Sequence, residues 1–213
     1  MSGRSRSSTD PAVIGPNAVI QLGETLAAHG EDRLAREIYL AAGCPDWLDH
    51  PPEAMVGEDA VVRLHAALWR IAPPELAAAY AAEAGMRTGD YILAHRIPKP
   101  GRLLLRALPA GASARLLVEA IAAHAWTFAG SGRFSHEAGT PLVVSIAANP
   151  LAGQGGCVWH AAVFRRLFQS LVHPEARVRE TACCAAGAPA CRFEIAWPGA
   201  GVRPLARGAC AAV

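Results

Sequence analysis

Between Cys157 and Phe193, three cysteines and a glutamate stand at offsets that suit a metal ion. The run reads Glu180-Thr-Ala-Cys183-Cys184-Ala-Ala-Gly187-Ala-Pro189-Ala-Cys191-Arg-Phe193, so Cys183 and Cys191 lie symmetrically about Gly187. With Gly187 at the top of a hairpin, the two thiols form a cross-strand pair with Cβ atoms roughly 5 Å apart. Thiolates that close can share one tetrahedral zinc, at about 2.3 Å each. Cys157 offers a third sulfur. It follows Gly153-Gln-Gly155-Gly156 and opens a helical pattern, where the positive helix end favours thiolate. Glu180 offers an oxygen. Two plainer readings stand beside the metal: a cross-strand disulfide, or buried thiols that fill a core.

Strand parity constrains the glutamate. Glu180 and Cys183 are an odd number of residues apart, so an unbroken strand sends them to opposite faces. Both can reach one metal only if the backbone between them leaves regular pairing, which predicts an unpaired residue at Thr181 or Ala182. Regular pairing would instead turn Glu180 away and leave the fourth position to His160 or water. An open water position is the catalytic kind.

Signatures of the common cofactors are missing. Gly130-Ser-Gly132 follows a helical stretch and has no third glycine, so it is no dinucleotide fingerprint. Gly153-Gln-Gly155-Gly156 has no Gly-Lys after it, and no Gly-x-Ser-x-Gly elbow occurs. An iron–sulfur cluster needs a fourth cysteine, and Cys184 would serve only in a distorted hairpin.

The pattern Cys157, then Glu180-x-x-Cys183-x-x-x-Gly187-x-x-x-Cys191-x-Phe193, resembles the 4-vinyl reductase domain family over roughly the last hundred residues. That family includes sensor domains of phenol-responsive activators and is related in fold to subunits of the TRAPP tethering complex. The resemblance implies a structural zinc on Cys157, Glu180, Cys183 and Cys191. Four protein ligands leave no place for water, and such a site contributes on the order of 10 kcal/mol to folding. Short size, a helical first half and Cys157-Val-Trp-His160 are most similar to the family's bacteriochlorophyll-biosynthesis members. They imply a magnesium tetrapyrrole, such as a divinyl (proto)chlorophyllide, as ligand, and pigment-biosynthesis enzymes as partners. A homodimer is a further expectation, since related folds often pair.

A magnesium tetrapyrrole wants an axial imidazole and aromatic walls. His65, His124 and His160 fall on apolar helical faces, and His136 shares a strand face with Phe134. A lone inward histidine is more often a satisfied core residue. Together with Trp69, Trp126 and Trp159, however, these could line a flat pocket, with His160, His124, Trp126 and Trp159 foremost. Three functions then compete. A carrier or accessory protein needs only the pocket. A vinyl reductase needs a hydride or electron source, for which the chain has no recognisable motif. A small-aromatic sensor needs an output domain, and none is visible in the sequence.

Composition sets the frame. The 213 residues suit one domain, 52% hydrophobic and only 18% charged, with apolar surface to spare for a ligand or partner. A net charge of +2 without a basic run gives no case for nucleic acid. No apolar run approaches the roughly 18 residues of a membrane span. Met1 to Asp10 lack the apolar core of a secretory signal, so the expected location is the cytoplasm, where thiols stay reduced and metal is favoured over disulfide.

The positioning elements follow from periodicity. Residues 1–16 and 199–213 read as loose tails around a single domain over 17–198, with the zinc core at 130–197. A helix is expected from Ile20 through Tyr39, weakened by Gly23 and Gly30, then another over Glu58 to Ile71. Pro73-Pro74 starts a third, which runs toward Asp90, with a turn or two over Tyr91 to Arg96 before Pro98 and Pro100. Ser113 is the expected N-cap of a helix to Ala129 whose inner face holds Leu117, Ile121, His124 and Phe128. Strands are expected at Arg133 to Glu137 and Leu142 to Ala148, a helix from Cys157 to Leu171, and a hairpin of Arg177 to Cys184 with Ala190 to Trp197. A helical N-terminal half on a small antiparallel sheet is an α+β order.

Overall fold

Glycine and proline divide the N-terminal half into helices. In the computed structural model, which describes residues 11–153 and 157–199, α1 (Asn17–Ala28) and α2 (Asp32–Ala41) replace the single helix expected from Ile20. Gly30 separates them in the left-handed conformation, at φ +71°, which L side chains rarely adopt. The reversal lets Tyr39 fold back on α1 and donate its hydroxyl to the Val19 carbonyl at 2.7 Å. Gly23 does not break α1; it leaves room for the Tyr39 hydroxyl, which a Cβ there would crowd.

The next helices are α3 (Glu58–Ile71) and α4 (Pro74–Tyr91), each begun where its sequence places it. A π turn over Ile92–Arg96 extends α4. The sequence reading assigned no element to the prolines that follow. Instead Pro98 and Pro100 frame the start of α5 (Lys99–Ala107), because a first helical turn does not need their missing N–H groups. α6 (Ala110–Ala123) starts after Pro109, so Ser113 is not its N-cap. Ser113 is fully buried inside the helix and donates its hydroxyl to the Leu171 carbonyl at 2.9 Å. The helix stops at His124, short of the expected Ala129, and a 3-10 turn over Ala125–Thr127 follows.

Two short strands, β1 (Val13–Ile14) and β2 (Val56–Gly57), pair antiparallel. Ile14 is fully buried, so residues 11–16 are part of the fold and not of a tail. The tail expectations for 1–10 and 200–213, and the loop at 154–156, lie outside the described residues.

The main sheet holds β3 (Arg133–Glu137), β4 (Leu142–Ala147), β5 (Arg177–Ala182) and β6 (Ala190–Ala196) in the antiparallel order β3-β4-β6-β5. Its buried face carries Leu142, Val144 and Ile146 beside Cys191, Phe193 and Ile195, in direct cross-strand register. Across that face lies α7 (Val158–Leu171), with Phe164 edge-on to Phe193 at 5.4 Å between ring centroids. α7 is therefore sandwiched between the sheet and α4. The α4 contact is close because it is glycine-lined. A Cβ on Gly85 would collide with the Trp159 carbonyl, and one on Gly89 would meet the Arg166 stem at 2.7 Å. The α+β expectation holds, and no described helix is long and apolar enough to cross a membrane.

Candidate metal centre

One irregularity in β5 decides the site. Glu180 pairs with Phe193, but Ala182 pairs with Arg192, so Thr181 is the extra residue of a β-bulge. Directly opposed residues share a face. Glu180 thus lies on the face of Phe193, which is also the face of Cys191 two residues earlier. The bulge absorbs the odd spacing, and Glu180 and Cys183 turn inward together. Gly187 closes the hairpin in the left-handed conformation at φ +86°. Cys157 arrives from the other side, as the N-cap residue of α7.

The result is a single cluster. One donor atom from each of Cys157, Glu180, Cys183 and Cys191 lies within 4.8 Å of all the others. The sulfurs of Cys157 and Cys191 are 3.1 Å apart, and those of Cys191 and Cys183 3.9 Å. All four side chains are buried or half-buried, and the cysteines are thiols, not disulfides. Cys184, the candidate held in reserve, is outside the cluster: it opens a 3-10 turn and donates its N–H to Cys191 Sγ at 3.3 Å.

Protonation of the three thiols bears on the ligand that would suit the cluster. The Cys157 thiol, as donor to Cys191 and buried beside Glu180, is held far above its ordinary range. Burial pushes Cys183 up to about 12. Cys191, which accepts from Cys157 and from the Cys184 N–H, is pulled down to about 5. Without a cation the sulfurs compete for one another's protons, and Cys191 is the acceptor among them. Burial and neighbouring negative charge outweigh the helix dipole at Cys157. A cation would reverse this, since its charge lets all three sulfurs ionise.

The donor set fits a metal on a further observation. Glu180 Oε2 accepts the Cys157 N–H at 3.0 Å, while its buried Oε1 has no hydrogen-bond partner. A buried carboxylate oxygen without a donor is costly unless a cation meets it. Three sulfurs and one oxygen, with no described histidine among them, suit a closed site of the structural kind. Asn149 supports the first sulfur, donating its amide to Cys157 Sγ at 3.1 Å.

The expected tetrapyrrole pocket did not form around the histidines. His65 and His160 are core residues, hydrogen-bonded to the Ala18 carbonyl at 3.1 Å and the Phe128 carbonyl at 3.4 Å. Burial lowers both, His160 to about 4. With Trp69 and Trp159 they line a cavity of about 10 Å³, the space of one water. His124 and Trp126 are exposed and do not line it, because α6 ends before the turn that would bring His124 inward. His136 stays on the sheet face near Phe134, with Glu119 3.5 Å from its Nε2.

A larger recess, about 370 Å³, opens on the surface between α1 and the end of α4. It is lined by Gln21, Arg87, Asp90, Tyr91, Ala94 and His95. His95 is exposed on the π turn, its ring 4.7 Å from that of Tyr91. The sequence reading passed over this pair. The Tyr91–His95 spacing of one helical turn was its only signal, and it is a weak one.

Comparison with known proteins agrees with the geometry. The V4R domain matches residues 142–196, which hold all four cluster residues. A bacteriochlorophyll synthase 23 kDa chain of Cereibacter sphaeroides is 52% identical over 187 residues, covering 85% of this chain and 89% of the relative. One of the same description from Rhodobacter capsulatus is 41% identical over 190 residues, 87% and 88% of the two chains. With identity this high over nearly the whole length, the chain belongs to the V4R-domain family of the bacteriochlorophyll synthase 23 kDa chains.

Proposed function

We propose that this protein acts in bacteriochlorophyll biosynthesis as a zinc-stabilised accessory or carrier protein for a magnesium-tetrapyrrole intermediate. The observation that carries the pathway is the 52% identity to a relative described as a chain of bacteriochlorophyll synthase. Zinc would be held by Cys157, Glu180, Cys183 and Cys191, and when bound it supplies structure. It ties the β5–β6 hairpin to the start of α7. The protein's own residues do the rest: Asn149 orients Cys157, and the Thr181 bulge turns Glu180 inward.

The recess at His95 is the place for the pigment on this reading. Its volume falls in the range of small-molecule sites, roughly 300–1,000 Å³. The exposed His95 imidazole can serve as an axial ligand to magnesium, and Tyr91 offers an aromatic edge. The cavity between His160 and Trp159 admits nothing of that size.

Mixing the purified protein with divinyl protochlorophyllide and NADPH tests the proposal. A shifted pigment spectrum without turnover, weakened by His95→Ala, is the expected result. A blue-shifted product would mean a vinyl reductase. An unshifted spectrum would remove pigment binding altogether.

A further inference from the structure

From Ile92 to Val118 the chain carries Arg96, Lys99, Arg102, Arg106 and Arg115 and not one Asp or Glu. None of these cations takes part in an ion pair among the described residues. The stretch includes α5, which packs only one side chain well, Leu105. At 100° per residue, Leu103, Leu104, Pro100 and Ala107 fall on the opposite side, and all four are exposed. Leu103 is 67% exposed and Leu104 53%. Lys99 and Arg106 border this apolar strip on one side, with Arg102 beyond them. Arg106 is anchored by its Nε to the Ser170 carbonyl at 3.0 Å, which fixes α5 against α7 and holds the strip outward.

We infer that the exposed face of α5 docks this protein on an anionic lipid surface, with Leu103 and Leu104 inserted and Lys99, Arg102 and Arg106 at the headgroups. Exposed leucines bordered by unpaired cations make an interfacial helix: apolar area enters the acyl boundary while the long basic stems reach the phosphates. A second copy of this chain fits the face poorly. A twofold pairing would set this basic face against itself, with no carboxylate in the stretch to offset the repulsion. This inference is independent of the pigment reading and rests on charge and exposure alone.

Co-sedimentation of the full chain with vesicles tests it. Binding to phosphatidylglycerol-rich vesicles, absent with pure phosphatidylcholine and weakened by salt, is expected. Arg102→Ala should lower the partition coefficient about fivefold, the effect of one cation near the surface. Leu103→Ser with Leu104→Ser should abolish binding while lowering the thermal unfolding midpoint by only a few degrees, since both side chains are more than half exposed. Equal binding to neutral and anionic vesicles would overturn the inference. So would no binding to either, or light scattering that shows a dimer lost in the leucine variant.

Discussion

His160→Phe probes the sealed core directly. His160 is 2% exposed, surrounded by Phe128, Phe164, Phe193 and Trp159, and burial lowers its pKa to about 4. In the unfolded chain the same group titrates near its ordinary value of about 6.5. The sign follows. A histidine whose folded pKa is depressed leaves stability intact above the unfolded pKa and removes it as pH falls toward the folded one. From about pH 7.5 to about pH 5, this one group costs about 2 kcal/mol, since the unfolded state gains most of a proton and the folded state almost none. Phenylalanine does not titrate and suits the aromatic surroundings. Its overpacking cost is independent of pH. Urea unfolding of both proteins across that range isolates the term, because contributions from His65 and the thiols are common to both. The stability gap should shift by about 2 kcal/mol in favour of the variant at the acid end. Parallel curves would mean that His160 takes up a proton in the folded protein, and the reasoning that seals it in the core would be wrong.

Two other changes test the packing and the bulge. Gly85→Ala would add roughly 1 kcal/mol of helix propensity on an open surface, yet here it should destabilise by about 2 kcal/mol in thermal unfolding, because the new methyl meets the Trp159 carbonyl. An unchanged or raised midpoint would show that α4 and α7 are not in close contact. Deleting Thr181 leaves Glu180 and Cys183 an even number apart, so an unbroken strand still turns both inward. Metal content should survive the deletion and be lost with Cys191→Ser; loss in both would show that the bulge does more than correct parity.

The local rules that were legible in the sequence are those set by short-range chemistry. The Gly187 turn, the α7 stripe of Phe164, Leu167, Phe168 and Leu171, and the parity conflict at Glu180 each depend on a few neighbouring residues. With Glu180 in the ligand set that the family resemblance implies, parity narrowed the irregularity to Thr181 or Ala182, and the structure puts it at Thr181. What failed needed tertiary information. Ser113 looks like a cap, but Pro109 starts α6 earlier and the Leu171 carbonyl claims the hydroxyl. His124 shares the helical phase of Leu117 and Ile121, yet the helix ends at that residue and the ring stays outside, on the Ala120 carbonyl. Nothing in Val13-Ile14 marks a strand; its partner Val56-Gly57 is distant in sequence. At Cys157 the helix end is visible in the sequence, whereas the opposing influence of Cys191, burial and Glu180 is not.

Zinc-edge X-ray absorption on protein made in zinc-replete medium tests the central claim most directly. The account predicts about one zinc per chain, with three sulfur neighbours at about 2.3 Å and one oxygen at about 2.0–2.2 Å, the oxygen shell disappearing in Glu180→Ala. Protein that carries no metal yet has full stability would contradict it. So would a first shell in which the oxygen persists in Glu180→Ala, because that oxygen would then be water and the site would be open.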